Sequence, residues 1–301
     1  MNKFLALSRS YHALLDIAAP AFCALLWLGD FPVPSITALS LFTAFAGYTA
    51  IYALNDLAGY KADKEKMNHA CAYQGYSVES ADMRHPLAQG ALSYKTALLW
   101  TSFWFVASII GAYMLNPVIV IILLTTGICE AAYCLLLKVS HWRFILSGIV
   151  KAAGPISAVF VVDRSPSPWL LFLLFMWVFF WEIGGQNIPA DWNDQVEDRL
   201  IGAKTIPVRF GERVSKRIVL LSSFLAVGIG SLLPLISPLA LGWPYMLVSA
   251  VIGTALLLMP AFALYNAAPV SFQPSRLFSV ASYYPLALSL LMVTAAALHH
   301  V

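Results

Sequence analysis

Charge is what this sequence has least of. Only 11% of its 301 residues are Asp, Glu, Lys or Arg, and the formal net charge is +3. A chain so poor in charge, 60% hydrophobic and with a mean hydropathy of +0.77, falls outside the range of soluble globular domains. No basic tract points to a nucleic-acid partner. Cysteine is sparse too, with four residues, no Cys-x-x-Cys and no Cys/His spacing for zinc. Cys23, Cys129 and Cys134 therefore read as reduced packing residues in apolar segments, and Cys71 as a loop residue. His12, His69, His85 and His141 have no ligand spacing either; His85, beside Arg84, is at most a minor phosphate contact. A cleavable leader is not expected, because the first apolar stretch carries Asp16 and is followed by further spans.

What remains is long apolar runs. They predict an all-α polytopic membrane protein of about nine helices, one bundle and one domain over residues 1–301. The spans fall near 11–29, 36–56, 95–114, 117–137, 143–162, 167–188, 217–236, 243–266 and 277–299. Each is close to the roughly 20 residues that cross about 30 Å of hydrocarbon. Basic residues gather in the even-numbered connections, and the odd-numbered ones hold only Arg164. The positive-inside rule then puts the N-terminus in the cytoplasm and the C-terminus outside.

Two connections are long and polar, about 57–94 and 189–216. Both fall on the predicted cytoplasmic side. The second opens with Asp191, Asp194, Glu197 and Asp198, four carboxylates within eight residues. Asp191, Asp194 and Asp198 are spaced i, i+3, i+7, which on a continuous helix is one face. Like charges so close repel unless a cation neutralises them, and an all-oxygen set suits Mg²⁺ bridging carboxylates to substrate phosphates. Asn55, Asp56 and Asp63 form a second acidic group at the mouth of the second span. A basic Gly/Pro-containing segment follows each group, Arg84 to Gly90 and Gly202 to Gly211. The stretch at about 68–82 has little helical pattern and is expected to be mobile without ligand.

These motifs resemble the UbiA superfamily of intramembrane prenyltransferases. Asp191, Asp194 and Asp198, with the trailing Gly202-x-Lys204-Thr205-x-Pro207 run, are similar to the family's second motif. Asn55, Asp56 and Asp63 match its first motif, but Gly59 stands where the middle aspartate is usual. The resemblance implies nine helices, a cytoplasm-facing active-site cap, Mg²⁺, an isoprenyl diphosphate and quinone or related prenyl-lipid biosynthesis. The Gly59 departure leaves a metal on the first group to Asn55, Asp56 and Asp63, and points to a specialised subgroup.

The expected chemistry is ionisation of an allylic diphosphate and capture of the cation by a small aromatic acceptor. Metal and cations stabilise the departing diphosphate. The expected metal set is Asn55, Asp56, Asp63, Asp191, Asp194 and Asp198, with Asp56 and the second-motif aspartates counted as catalytic. Asn55, Arg84, Lys138, Arg143 and Lys204 are expected to hold the substrate. Tyr48, Tyr52, Tyr133, Trp177 and Trp181 are candidate faces for the cation. Lys151, Glu130 and Glu182 fall inside spans, where an ionisable group is functional by default. Glu182, nine residues before Asp191, is expected to orient the acceptor or take its proton, and a Lys151–Glu182 ion pair is a further expectation. Two alternatives stay open: a terpene cyclase on the same scaffold, and a transporter or lipid-binding membrane protein.

Overall fold

In hydrocarbon a single chain segment satisfies its backbone only by bonding to itself, so apolar runs of this length fold as helices. The computed structural model describes residues 3–68, 83–268 and 271–299. Among them, nine helical segments are long and apolar enough to cross a membrane. They are α1 (Ser10–Leu28), α2 (Pro34–Asn68), α3 (Tyr94–Leu115), α4 (Pro117–Leu135), α5 (Arg143–Val162), α6 (Pro168–Asn193), α7 (Ile206–Ile236), α8 (Gly242–Tyr265) and α9 (Gln273–His299). The segment expected to be mobile, with His69 and Cys71, lies almost wholly outside the described residues.

The polar connections contain more helix than their sequence suggests. α2 runs twelve residues past its expected end at 56, because Tyr60 to Asn68 is mostly Lys, Glu, Ala and Met, which favour helix. Asp56 and Asp63 thus sit seven residues apart on one helical face. The second connection carries a short helix, Gln195–Leu200, and helix resumes at Ile206 rather than 217, with Pro207 in its first turn and a break at Gly211 (φ +74°) before the long run of α7. Asp194 sits between the end of α6 and that short helix, so the three aspartates do not share one continuous helix.

α2 lies along α3, α4 along α5, and α1 between α5 and α9, while α7 packs on α6 and α8. Large side chains such as Leu99, Phe103, Ile121 and Ile128 stay exposed, as lipid-facing residues should. Trp177, Trp181, Tyr284 and Phe22 are buried in the protein interior. The Trp177 indole N–H donates to Tyr284 Oη at 3.2 Å, and that of Trp181 to the Ala281 carbonyl at 2.9 Å. These two tryptophans hold helices together and do not line the cavities described below, contrary to the role foreseen for them.

α6 contains a wide π turn at Glu182–Asn187, the kind of irregularity that often marks a functional segment. Two glycines inside it let α7 and α9 approach. A Cβ on Gly184 would lie 2.8 Å from the Ser223 backbone nitrogen, and one on Gly185 would lie 2.9 Å from Ala281 Cβ. Gly228, on α7, has no atom within 4 Å of its Cβ position. Gly184→Ala should therefore destabilise the detergent-solubilised protein by about 1–3 kcal/mol through overpacking. Gly228→Ala should be neutral or slightly stabilising, and paired thermal melts check the contrast.

Candidate active site

The acidic groups meet at one end of the bundle, because the polar end of α2 reaches across to the α6–α7 connection. Lys66, on the last turn of α2, bridges Asp198 Oδ1 at 2.6 Å and Asp194 Oδ2 at 3.4 Å. Arg84 donates to both Glu197 oxygens, at 2.8 and 3.1 Å, and meets Asp194 Oδ2 at 2.8 Å. His85 Nδ1 lies 3.3 Å from Asp63 Oδ2 and 3.6 Å from Asp56 Oδ1. Arg9, from the turn before α1, donates to Asn55 Oδ1 at 2.9 Å and lies 3.7 Å from Asp56. Arg143 stacks over the Tyr133 ring at 3.9 Å and reaches Asp191 Oδ1 at 3.5 Å. Charges this deeply placed require such partners.

The electrostatics follow from that packing. Burial alone would raise the Asp194 carboxyl, but Lys66, Arg84 and His85 together hold it down at about 2. Burial would lower His85, but the Asp63 and Asp56 carboxylates outweigh it and lift the imidazole to about 9. Asp194 thus remains an anion throughout the physiological range.

Two cavities share a neck. The polar one, about 120 Å³, is lined by Asp56, Asp63, Lys66, Arg84, His85, Arg143, Asp191 and Asp194. The other, about 450 Å³, is mainly apolar and runs between α1, α2, α4 and α5. Arg9, Asn55, Tyr133 and Ala190 line both. The long cavity is followed along α2 from Asn55 to Thr37, eighteen helical rises, or about 27 Å. Small residues such as Ala21, Ala24, Ala44, Gly47, Gly154 and Ala158 form much of its wall.

A belt of polar groups crosses this cavity part way down. Lys151 Nζ donates to both Asp16 oxygens at 2.7 Å, Tyr52 Oη donates to Asp16 Oδ2, and His12 Nε2 lies 3.6 Å from the same carboxylate. Glu182 accepts from Ser147 Oγ at 2.6 Å. Lys151 also pairs with Glu182, at 3.9 Å, as foreseen, although Asp16 is its closer partner. The π turn aims Glu182, Gln186 and Asn187 into the same space.

The structure thus brings Asp56, Asp63, Arg84, Arg143, Asp191 and Asp194 around one polar cavity. Other sequence-level candidates sit elsewhere. Lys138 is exposed and paired with Glu65 at 2.6 Å, and Lys204 is an exposed residue at the start of the turn into α7; neither lines the cavity. Asp198 lies behind Lys66 rather than on the cavity wall. Asn55 does line the polar cavity, but it gives its oxygen to Arg9 and donates its amide to Glu130 at 2.6 Å, which engages it as a protein contact. Sequence reasoning missed Arg9, Lys66, Glu197 and the importance of His85. Lys66 follows Asp63 by three residues, so it shares that helical face once α2 is known to continue. No local signal marks Arg9, which meets Asn55 across 46 residues of chain.

Three kinds of similarity bear on this arrangement. A model of the UbiA prenyltransferase family matches residues 17–281. A 4-hydroxybenzoate geranyltransferase of Lithospermum erythrorhizon is 26% identical over 127 residues, 42% of this chain and only 41% of that protein's length. The fold resembles that of a UbiA homologue from Aeropyrum pernix K1, with a TM-score of 0.70 at 15% identity, over 97% of this chain and 99% of that one. It also resembles that of a UbiA homologue from Archaeoglobus fulgidus bound to GPP and Mg²⁺, with a TM-score of 0.63 at 17% identity, over 97% of this chain and 100% of the other. A family match that spans eight of the nine membrane helices in whole or large part, on a fold shared nearly end to end with UbiA homologues, makes this chain a member of the UbiA prenyltransferase family.

Proposed function

We propose that the protein transfers an isoprenyl group from an allylic diphosphate to a small aromatic acceptor, acting as one intramembrane unit with its acidic end in the cytoplasm. The observation that carries this reading is the shared neck. A polar cavity rich in carboxylates and cations opens onto a long apolar one, the shape of an amphiphile with a diphosphate head and a hydrocarbon tail. The bound ligands and activities of the similar proteins support the same reading.

The residues suit a divalent cation. Asp56 Oδ2 is buried without a hydrogen-bond partner among the described residues, and ligand atoms of Asp56, Asp63 and His85 lie within 4.8 Å of one another. Asp191 and Asp194 face the same cavity from the α6 side. A bound divalent cation would neutralise charge on the leaving diphosphate. Arg143, Arg84 and Lys66 surround the diphosphate oxygens and stabilise charge as the carbon–oxygen bond breaks. The bonding electrons leave with diphosphate, and Tyr133 at the neck and Tyr52 in the belt beyond it offer ring faces to the allylic cation. An acceptor ring carbon then bonds to that cation. Glu182, in the polar belt, takes the proton that the ring loses.

Each role has its own test. Purified protein should release diphosphate from a prenyl donor only when an aromatic acceptor is supplied, and EDTA should stop it. Asp191→Asn and Asp194→Asn should each lower turnover about a hundredfold or more. Release without acceptor, with a cyclised product, would replace this reading by a cyclase. Glu182→Gln should cut kcat by about 10²–10⁴ with little change in donor KM; unaltered kcat would remove Glu182 as the base. The cavity's length favours donors longer than geranyl. Ala44→Phe, set part way along it, should spare a geranyl donor while lowering kcat/KM for geranylgeranyl or longer donors at least tenfold. Equal losses for all donors would mean that the tail does not follow this cavity.

A further inference from the structure

Gly59 removes a carboxylate from the first acidic group, and the structure brings an imidazole to the same place. Asp63 folds back along α2 over Gly59, where a Cβ would lie only 2.9 Å from Asp63 Oδ2. An aspartate at 59 would compete with Asp63 for that space. With glycine there, His85 enters from the connection before α3 and points Nδ1 between Asp63 and Asp56, at 3.3 and 3.6 Å. Asp56 is 2% exposed and its Oδ2 has no hydrogen-bond partner among the described residues.

The backbone holds His85 there against its preference. Its φ is +50°, left-handed space that a non-glycine residue occupies at a cost and that concentrates at functional positions. The bonds on either side keep it in place. Arg84 is clamped on Glu197, and Gln89 reaches back to both carbonyls, its side-chain amide to Arg84 at 2.5 Å and its backbone N–H to His85 at 3.1 Å.

We propose that His85, giving up to solvent the proton it holds between the two carboxylates, supplies through Nδ1 the metal ligand that Gly59 cannot, making Asp56, Asp63 and His85 a mixed nitrogen–oxygen site. This rests on reading the polar cavity as metal-holding. Mg²⁺ prefers oxygen ligands in near-ideal octahedral geometry, whereas imidazole suits borderline cations such as Mn²⁺, Co²⁺ or Zn²⁺. The site therefore selects a borderline divalent cation over Mg²⁺.

The test needs no turnover. Mn²⁺ is titrated into the detergent-solubilised full chain, with and without inorganic pyrophosphate, and pulsed EPR reads the ¹⁴N coupling of the bound ion. Wild-type protein should bind Mn²⁺ at least tenfold tighter than Mg²⁺ by calorimetry and show one histidine nitrogen on the ion. His85→Gln should lose that coupling and bind Mn²⁺ at least tenfold more weakly, while Mg²⁺ affinity changes no more than about twofold. The wild-type spectrum decides the matter even if the variant folds poorly. No Mn²⁺ binding under either condition, bound Mn²⁺ without ¹⁴N coupling, or a coupling that survives His85→Gln would overturn the proposal. Acceptor-dependent prenyl transfer with no nitrogen on the metal would leave the transferase reading standing and remove His85. A nitrogen-ligated ion in a protein that turns over no donor would do the reverse.

Discussion

The arrangement turns on charge compensation at the edge of a low-dielectric bundle. Six carboxylates, Asp56, Asp63, Asp191, Asp194, Glu197 and Asp198, crowd one end of the molecule, and water alone does not reach them well enough to hold them apart. A buried anion without a partner is expensive, and removing one member of a buried pair strands the other. The structure meets this with Arg9, Lys66, Arg84, His85 and Arg143, drawn from four stretches of chain. Lys66 joins the polar end of α2 to the α6–α7 connection, and Arg84 fastens the connection before α3 to the same acids. Electrostatics therefore holds the polar end of the fold together while apolar packing holds the rest.

That division explains how much the sequence reveals. Apolar runs report helices directly, since hydrocarbon leaves the backbone no alternative, and the nine spans are legible to within a few residues wherever the run ends at a turn. They become illegible where a helix leaves the membrane. α2 continues as polar helix, which helix propensity can see and hydropathy cannot, and α7 is preceded by a polar helical turn set off by the break at Gly211. The acidic groups are legible as clusters because charge is rare in this chain. Which cation faces which acid is not, because Arg9 and Arg84 reach their partners over long separations in sequence. The same ambiguity misplaced Lys138, Lys204, Trp177 and Trp181. Lysine near a membrane end reads alike whether it meets a phosphate or Glu65, and tryptophan in a span reads alike on a cavity wall or between helices.

The neck organises the chemistry. Arg9 and Asn55 on one side, and Tyr133 and Ala190 on the other, mark where the polar space gives way to the apolar one. Groups that recognise an anion and groups that tolerate a cation are thereby set side by side without mixing. The belt of Asp16, Lys151, Ser147 and Glu182 lies farther along, balanced within itself and separated from the acids at the mouth. Two polar centres with an aromatic passage between them suit the bond-breaking and proton-accepting steps of the proposed reaction.

The π turn in α6 sets the phase between those centres. Glu182 opens the turn and Asp191 lies one helical stretch beyond it, so the residues from Glu182 to Asn187 act as an indexing element between the belt and the mouth. Each residue added to or taken from a helix rotates the downstream residues by about 100° and moves them by about 1.5 Å. The wide turn already holds one residue more than ordinary helix, so losing one residue there would restore ordinary helix and leave Asp191 near its place, whereas losing one from the ordinary helix between Asn187 and Asp191 would swing Asp191 off the polar cavity. Sequence length is thus under tighter constraint just beyond the turn than within it. A deletion inside the turn changes which side chains face the belt, whereas one just beyond it would turn Asp191 away from the polar cavity.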